Sequence, residues 1–404
     1  MAAGSAERCV PPNLPEPPRG RTVVVGAGKA AAAMASVVEN CWRGKLSGLV
    51  VTRYGHGAPC RRIEVVEAGH PMPDESGLEA ARRILASVAN LIPDDLVLAL
   101  ISGGGSALLT MPATGVTLSE KRSLTAALLR SGAPIAEINC VRKHLSAIKG
   151  GRLAMAASPA PVTALIISDV PGDDPALVAS APTAPDPTTS ADAASILQKR
   201  GIIASELVAA WLKNPDSETP KPGDPAFARV HNRIIASSRS AIAESARMAG
   251  AAGFAVRYLG DIEGEAQMLA HDHAQMALQL RREGKPALIL SGGEAMVTVR
   301  GNGRGGRNTE YLLALARALD GAEGIWALAC DTDGIDGTED NAGAVIAPDS
   351  LRRAAAVGLS AGVALAGNDS YGFFAGLGDL VVTGPTRTNV NDFRAILITG
   401  SRQK

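Results

Sequence analysis

Short apolar runs alternate along this chain with longer stretches rich in alanine and leucine, and turns rich in glycine, serine or aspartate separate them. Apolar runs of about 4 to 8 residues between such turns are typical of buried strands, and the longer stretches are typical of helices that cover a parallel sheet. The pattern therefore predicts an α/β fold. The clearest predicted strands are Thr22–Val25, Leu96–Ile101, Val162–Ile167, Ala287–Leu290, Ile325–Ala329 and Leu380–Val382.

The turns that follow these strands carry most of the polar residues of interest. In open α/β sheets, ligands bind outside the carboxyl ends of the strands, so these turns are where functional residues are expected. In chain order they read GAGK (Gly26–Lys29), SGGGS (Ser102–Ser106), SDVPGDD (Ser168–Asp174), SGGE (Ser291–Glu294), CDTDGID (Cys330–Asp336) and TGPTRTN (Thr383–Asn389).

Length and composition narrow the class of protein. A chain of 404 residues exceeds what one core usually supports, which predicts two domains. Lys+Arg and Asp+Glu balance at 40 each and aromatic residues are only 3%, so nucleic acid and anionic membranes are not expected partners. The five cysteines are scattered without CxxC spacing, and no apolar run approaches the ~20 residues that span a bilayer. These features predict a cytoplasmic protein.

Proline-rich stretches suggest the domain boundaries. Residues 1–20 form a Pro-rich N-terminal segment without the apolar core of a secretory signal. The Pro- and Asp-rich stretch Asn214–Asp224 precedes a long helical run, so we expect one domain at 21–230 and a second at 231–390. The C-terminal segment 391–404 is allowed as an addition to the first domain.

The GAGK turn joins a predicted strand to an alanine-rich helix. Backbone N–H groups of the turn and the positive end of the helix dipole would face an anion. Gly26, Gly28 and Ala31 match the dinucleotide pattern G-x-G-x-x-A. Lys29 adds a charge suited to phosphate, whereas Arg53 stands where an NAD site has an acid and could serve the 2′-phosphate of NADP. A structural glycine turn is the third interpretation.

Two further segments of the first half could bind anions. The three glycines between Ser102 and Ser106 would let backbone approach a polyphosphate, although a tight turn explains them equally well. In NCVRKHLSAIKGGRLA, a continuous helix would place Arg142, Ser146, Lys149 and Gly150 on one face. Such a face is usually solvated, but KGG followed by Arg152 also suits a phosphate or carboxylate.

The second half adds an arginine and a group of carboxylates. Arg307, in GNGRGGRNTEY, precedes a helix predicted to begin near Asn308, an arrangement that suits anions. Asp331, Asp333 and Asp336 crowd the end of a predicted strand, where a cation or a proton must relieve their repulsion. No Glu occupies the twelfth position of a calcium loop, so Mg²⁺ binding or a general base is favoured.

Cations beside glycine turns together with clustered carboxylates are the components of phosphoryl transfer. His70, in AGHPMPDESG, is a further candidate acid or base, but a histidine before a proline turn is more often structural.

The segments GAGKAAAAMA, SGGGSALL, ISDVPGDD, SGGEAMVTVRGNGRGGRNTEYLLALA and DTDGIDGTEDNAGAV make the chain, from about Arg21 onward, resemble the glycerate 2-kinase family with a C-terminal MOFRL domain. The resemblance implies an ATP- and Mg²⁺-dependent kinase that makes 2-phosphoglycerate from D-glycerate. It also implies a Rossmann-like, doubly wound N-terminal domain, a smaller α/β MOFRL domain and an active-site cleft between them. In the family, the residues that correspond to Lys29 and Arg307 are held to be essential. The chain departs from the family at Ala181, where a glycine is usual, and at Arg387, where a small residue is usual.

Each candidate residue has a predicted role. The predicted catalytic residues are Lys29, Arg307, Asp331 and Asp333. The predicted ATP- and phosphate-binding residues are Gly26, Gly28, Ser102, Gly103, Gly104, Gly105, Ser106, Lys149 and Gly150. The predicted substrate-binding residues are Arg152, Asp169 and Asn308, and the predicted metal ligands are Asp331 and Asp336.

Two other functions stay open. Some relatives are labelled hydroxypyruvate reductase, and the G-x-G-x-x-A pattern would suit an NAD(P)H-dependent reductase. A non-catalytic sensor of a phosphorylated metabolite would use the same loops. The sequence also allows a homodimer.

Overall fold

The computed structural model describes residues 4–400 and divides the chain into two compact units. The first unit is Ser5–Ala236. The second runs from Ser237 onward and includes Gly4, whose carbonyl accepts a hydrogen bond from the Thr388 hydroxyl at 2.7 Å. Among the described residues, no helix has the length and apolar character needed to cross a membrane.

The first unit is built on a six-stranded sheet in which every neighbouring pair is parallel. The strands are β1 (Thr22–Ala27), β2 (Leu46–Arg53), β3 (Ile63–Ala68), β4 (Leu96–Ser102), β5 (Val162–Ile167) and β6 (Val230–Ala236). Their order, β3-β2-β1-β4-β5-β6, is that of the Rossmann fold. The direction in which successive strands are added to the sheet reverses between β1 and β4. The prediction of a doubly wound first domain is confirmed.

Helices connect and cover these strands. They are α1 (Ala6–Cys9), α2 (Ala31–Cys41), α3 (Glu75–Val88), α4 (Gly105–Leu108), α5 (Leu118–Arg130), α6 (Ile135–His144), α7 (Arg152–Ala157), α8 (Ser190–Lys199) and α9 (Glu206–Lys213). All residues of β1, β4 and β5 are buried. Their unbroken apolar sequences follow from this, because a central parallel strand has both faces covered.

The second unit has a mixed sheet in the order β13-β12-β11-β14-β9-β7 and a two-stranded pair, β8 with β10. The strands are β7 (Ala255–Asp261), β8 (Gly264–Glu265), β9 (Ala287–Gly292), β10 (Ala295–Met296), β11 (Ile325–Asp331), β12 (Gly343–Ile346), β13 (Leu380–Val381) and β14 (Asp392–Ile398). The helices are α10 (Ser238–Ala251), α11 (Ala266–Glu283), α12 (Arg307–Leu319), α13 (Ser350–Ala356), α14 (Ala361–Ala366) and α15 (Ser370–Leu377).

Antiparallel pairing dominates the six-stranded sheet of the second unit. Only β7 and β9 pair in parallel there, whereas β14 runs antiparallel to both β9 and β11. The parallel arrangement expected from the apolar runs is therefore wrong for most of this sheet. Strand direction depends on where the connections cross, which the alternation of elements does not determine.

Two boundary predictions are corrected by the strands. The segment 391–404 does not join the first domain, because β14 pairs within the sheet of the second unit. Residues 401–404 of that segment lie outside the described residues, as do residues 1–3 of the Pro-rich segment 1–20. Strand β6 pairs with β5, so the division falls at Ala236 rather than at 230.

The departure at Ala181 proves to lie at a backbone position that favours glycine. Ala179, Ser180 and Ala181 have φ values of 52°, 60° and 56°, so three successive residues with side chains adopt the left-handed conformation. Each such residue costs roughly 1–2 kcal/mol relative to its right-handed form. The run is held in place because the Ala181 carbonyl accepts a 2.7 Å hydrogen bond from Gly151 and the Ser180 carbonyl accepts one from Gly150.

Ala181→Gly is expected to stabilise the protein by about 0.5–1 kcal/mol, because relief of the left-handed strain outweighs the extra entropy that glycine adds to the unfolded chain. Urea unfolding measures the change. Ala127→Gly, in the right-handed helix α5, is the matched control and should lose about 1 kcal/mol. If both variants lost stability equally, backbone strain at Ala181 would not be a factor.

Candidate active site

The GAGK and SGGGS turns contact each other at the point where the strand order of the first sheet reverses, between β1 and β4. The Lys29 N–H donates to the Gly103 carbonyl at 2.8 Å, and the Ala30 N–H donates to the Ser102 hydroxyl at 3.0 Å. A Cβ on Gly28, whose φ is +138°, would lie 2.1 Å from Ser102 Oγ. A Cβ on Gly26 would lie 2.2 Å from the Leu100 carbonyl oxygen. Close packing of β1 against β4 therefore accounts for both glycines of the pattern.

This packing contradicts the prediction that the backbone of the GAGK turn binds an anion. The N–H groups of Gly28 and Ala31 also have acceptors, the carbonyls of Val51 and Gly28, each at 3.1 Å. Four successive N–H groups, those of residues 28–31, are thus already used within the protein, and Ser102 serves as one of the acceptors. What the turn offers to a ligand is the half-buried side chain of Lys29.

Lys149 connects the SGGGS loop to the three left-handed residues 179–181 by hydrogen bonds. Its buried ammonium donates to the carbonyls of Ser106 and Ala179 at 3.0 and 3.4 Å. Burial, with the nearby charges of Lys121 and Arg142, lowers the pKa of Lys149 well below its ordinary value. The Ser106 hydroxyl hydrogen-bonds that of Ser180 at 2.7 Å.

The continuous basic helix expected around Lys149 is wrong. Helix α6 ends at His144, so Arg142 and Lys149 do not share a helical face. Gly150 follows in the left-handed conformation, with φ +59°, and its N–H is used by the Ser180 carbonyl. The phosphate role predicted for Gly150 therefore has no support in its backbone, which holds the left-handed run instead.

Arg152 and Asp169, each predicted to bind substrate, lie in different surroundings. The Nη2 of Arg152 donates to three backbone carbonyls, those of residues 216–218, at 2.9 to 3.1 Å. The guanidinium thus stabilises that connection, which corrects its predicted role as a substrate-binding group. Asp169 is half-buried in the turn after β5.

In the second unit, three carboxylates from different elements hold Arg307. Its Nε donates to Asp392 at 2.8 Å, its Nη2 to Asp331 at 2.7 Å, and its Nη1 pairs with Glu294 at 2.9 Å. Arg307 is the first residue of α12, Asp331 ends β11 and Asp392 begins β14. Burial opposes the charge of Arg307, but the three carboxylates together raise its pKa above the ordinary value. The guanidinium is fixed in place and permanently charged.

Asp392 is the centre of this network and was not predicted. Its Oδ1 accepts from Arg307 and from the Asn308 side chain at 2.9 Å, and its Oδ2 accepts from Arg394 at 2.8 Å. Arg394 is 1% exposed and donates to the Gly292 carbonyl. In DFRAILI (β14) the two charges share the buried phase of the alternation with Ile396 and Ile398. Charged residues in a buried phase are the signal that could have identified them.

Asp336 stabilises the start of α12, which corrects its prediction as a metal ligand. One of its oxygens accepts from the Asn308 N–H at 2.9 Å, and the other accepts from the N–H and hydroxyl of Thr309 at 2.9 and 2.8 Å. These bonds satisfy donors at the first turn of the helix. Burial raises the pKa of Asp336.

Asp331 and Asp333 lie beside Asp336 but have other contacts. Asp331 uses Oδ2 for Arg307, and its Oδ1 accepts from the Asp333 N–H at 3.0 Å. Asp333 accepts from the Ile335 N–H at 2.9 Å. Within residues 4–400, no group of three His, Cys, Asp or Glu side chains could hold a metal ion. The three aspartates therefore do not form a protein cage for Mg²⁺.

Comparison with known proteins agrees with the two-unit architecture. Residues 2–213 match the model of DUF4147, a domain of unknown function, and residues 287–392 match the MOFRL family. The chain is 55% identical over 406 residues to an Agrobacterium vitis protein whose name assigns it provisionally as a hydroxypyruvate reductase; the match covers 98% of this chain and 92% of that protein. It is 41% identical over 393 residues to D-glycerate 2-kinase of Thermotoga maritima, covering 96% and 93%.

The crystal structure of glycerate kinase from Thermotoga maritima superposes with a TM-score of 0.90 at 40% identity, covering 98% of this chain and 96% of that one. Two family models, relatives matched over most of their length and a solved structure thus agree with the family that the sequence resembles. The chain belongs to the glycerate 2-kinase family with a C-terminal MOFRL domain.

Proposed function

We propose that this protein is a kinase that transfers the γ-phosphate of ATP to the C2 hydroxyl of D-glycerate, giving 2-phosphoglycerate and ADP. The observation that carries the proposal is the clamping of Arg307, since three carboxylates keep its guanidinium charged and fixed at a helix start. A preorganised cation of this kind stabilises the charge that develops on a transferring phosphoryl group. The names of relatives at 35–41% identity support the same activity.

In the proposed reaction, the substrate hydroxyl oxygen attacks the γ-phosphorus while the bond to the β,γ-bridging oxygen breaks and ADP leaves. Lys29 and Arg307 offset the charge on the phosphoryl oxygens. The hydroxyl proton passes to a carboxylate. We assign this role to Asp333, a predicted catalytic residue that lies two positions beyond the end of β11.

Mg²⁺ would supply charge compensation along the phosphate chain. Since the described carboxylates do not form a cage for it, we assign the ion to the ATP phosphates rather than to a site built from protein side chains. Asp331, the last residue of β11, is the one carboxylate that we assign to contact that complex, and Asp333 keeps the role of proton acceptor.

Hydroxypyruvate reduction is the second candidate because of the Agrobacterium vitis relatives at 55% and 51% identity. A nicotinamide dinucleotide would place its pyrophosphate against the N–H groups of the glycine turn. Those of residues 28–31 already donate within the protein. The geometry of the turn therefore favours the kinase.

The expected result of mixing the protein with ATP, Mg²⁺ and D-glycerate in the presence of enolase is immediate formation of phosphoenolpyruvate. Enolase accepts 2-phosphoglycerate directly, so a signal that requires added mutase would instead indicate phosphorylation at C3. L-glycerate in place of the D form tests the enantiomer. Turnover of hydroxypyruvate with NADPH, without consumption of ATP on glycerate, would contradict the kinase proposal.

We also propose a cytoplasmic location and small molecules, not nucleic acid or membranes, as the partners of this enzyme. The balance of 40 basic and 40 acidic residues supports this choice of partners, because it provides no global field that would attract a polyanion.

The protein is also proposed to form a homodimer. Light scattering after size-exclusion chromatography tests this, because it separates a mass near 41.3 kDa from one of twice that value.

A further inference from the structure

A cavity of about 270 Å³ in the first unit lies beside the SGGGS loop, with Gly104 and Ser106 in its wall. We call it the cationic pocket, because four Lys and Arg side chains line it together with His70: Lys121, Arg122, Arg142 and Lys149. Its remaining wall is largely apolar and includes Met72 and Leu129. The charges come from three parts of the chain: helix α5, helix α6 and the turn that follows α6.

Among residues 4–400, the lining of this pocket includes no Asp or Glu that could balance these charges. Lys121 is 6% exposed, and its ammonium donates to the Leu145 carbonyl at 3.2 Å. The Nε of Arg122 is buried and has no hydrogen-bond partner among residues 4–400. Donors of this kind are costly to bury without an acceptor.

The pKa values show the same imbalance. Burial lowers the pKa of Arg142, and no carboxylate of the described chain acts to raise it. Burial and then the charge of Arg142 lower the pKa of Lys121 to about 7. Like charges gathered in a low-dielectric site destabilise one another unless an anion enters. The pocket is therefore arranged for a negatively charged ligand.

The size of the cavity and its position indicate which anion. Pockets for drug-sized ligands run from about 300 to 1,000 Å³, so this one suits a smaller molecule than a nucleotide. Gly104 connects it to the candidate active site, because a Cβ there would lie 3.3 Å from Lys29 Cγ. An anion in the pocket thus lies across one glycine from the proposed catalytic lysine.

We propose that the cationic pocket binds the carboxylate of the hydroxy acid substrate, with Arg122 and Arg142 as its binding residues. This rests on the proposed function, whose substrate it places. It also replaces the predicted substrate-binding role of Arg152, whose guanidinium donates to backbone carbonyls. The apolar wall would contact the carbon skeleton, and the hydroxyl would face Lys29.

Calorimetric titration of D-glycerate into the nucleotide-free protein tests the assignment. Arg142→Met is expected to weaken glycerate binding about 10- to 100-fold, the range for loss of one charged hydrogen-bonding pair. Arg142→Lys keeps the charge but loses the forked geometry of the guanidinium, so its affinity for glycerate should lie between those of the wild type and Arg142→Met. Arg130→Met, on the exposed end of the same helix as Arg122, is the control and should bind like the wild type.

Thermal unfolding without ligand separates binding from a structural role. Arg142→Met should raise Tm in the absence of glycerate, since it removes a buried charge that lacks a counter-ion, and it should lose the Tm increase that glycerate causes. A fall in the ligand-free Tm together with unchanged glycerate affinity would overturn the assignment.

The kinetic constants identify the ligand and separate this inference from the proposed function. Under the inference, the KM for glycerate rises in Arg142→Met while the KM for ATP stays constant. If only the KM for ATP rose in Arg142→Met, the pocket would bind the nucleotide phosphates, and the inference would be overturned. If the wild-type protein bound glycerate more tightly than Arg142→Met does and yet showed no kinase activity, that result would support the pocket and refute the proposed kinase function.

Discussion

Replacing Lys29 by methionine is expected to lower kcat for glycerate phosphorylation by about 100- to 1,000-fold while leaving the fold intact. Losing one preorganised donor to a developing negative charge typically costs this much. Lys29 follows β1 at the reversal of the sheet, where hydrogen bonds from its own backbone and from Ala30 fix the turn on β4. Those bonds do not involve the side chain, and methionine keeps most of the apolar stem that packs on Gly104.

Steady-state kinetics with enolase coupling measures the effect of Lys29→Met, and the split between kcat and KM shows where the lysine acts. A fall in kcat with little change in KM would place its interaction in the transition state. Lys45→Met, at an exposed position just before β2, is the control and should behave as wild type. Wild-type kcat and kcat/KM in Lys29→Met would remove this lysine from the mechanism.

Asp392→Asn is expected to destabilise the second unit by about 3–5 kcal/mol, the cost of breaking a buried ion pair from one side. Asp392 accepts four hydrogen bonds, from Arg307, Asn308, Arg394 and the Ala295 N–H. An asparagine would direct an NH₂ group at donors and leave Arg394, which is 1% exposed, without its carboxylate. We also expect kinase activity to fall, because Arg307 loses one of its three anchors.

Hydrogen exchange of the β14 segment reports this loss directly, since β14 lies between β9 and β11 in its sheet. Amide protection there should fall by about two to four orders of magnitude if opening follows the expected change in free energy, because each factor of ten corresponds to about 1.4 kcal/mol. Asp349→Asn, whose partially exposed carboxylate pairs with Arg352 and Arg353, should leave β14 unchanged. Equal protection in both variants would show that the Asp392 network does not stabilise the sheet.

The first sheet could be predicted from the sequence because its central strands are buried on both faces and read as unbroken apolar runs. The second sheet could not be predicted to the same extent. Its strand directions depend on connections that leave no local trace, and β14 takes a central place between strands that precede it in the chain.

Some features of the candidate site could also be predicted from the sequence, whereas others could not. The motifs predicted Lys29 and Arg307 as site residues, but they did not show that Ser102 accepts a hydrogen bond from the GAGK turn, because that contact joins residues 72 positions apart. Three clustered aspartates gave no indication that Asp336 caps a helix. The sequence did not predict that Arg122 and Arg142 line one cavity, because α5 and α6 share no sequence pattern around it.

The place of β14 has a consequence for biosynthesis. The second unit needs Asp392 to fix Arg307, a residue made 85 positions earlier, and needs β14 to join β9 to β11. On the ribosome, the first unit has all six strands of its sheet while that central strand is still missing from the second. A nascent or prematurely stopped chain that ends before Asp392 would therefore carry all six strands of the Rossmann sheet and an Arg307 that lacks one of its anchors. Phosphoryl transfer would begin only after the last strand has been translated.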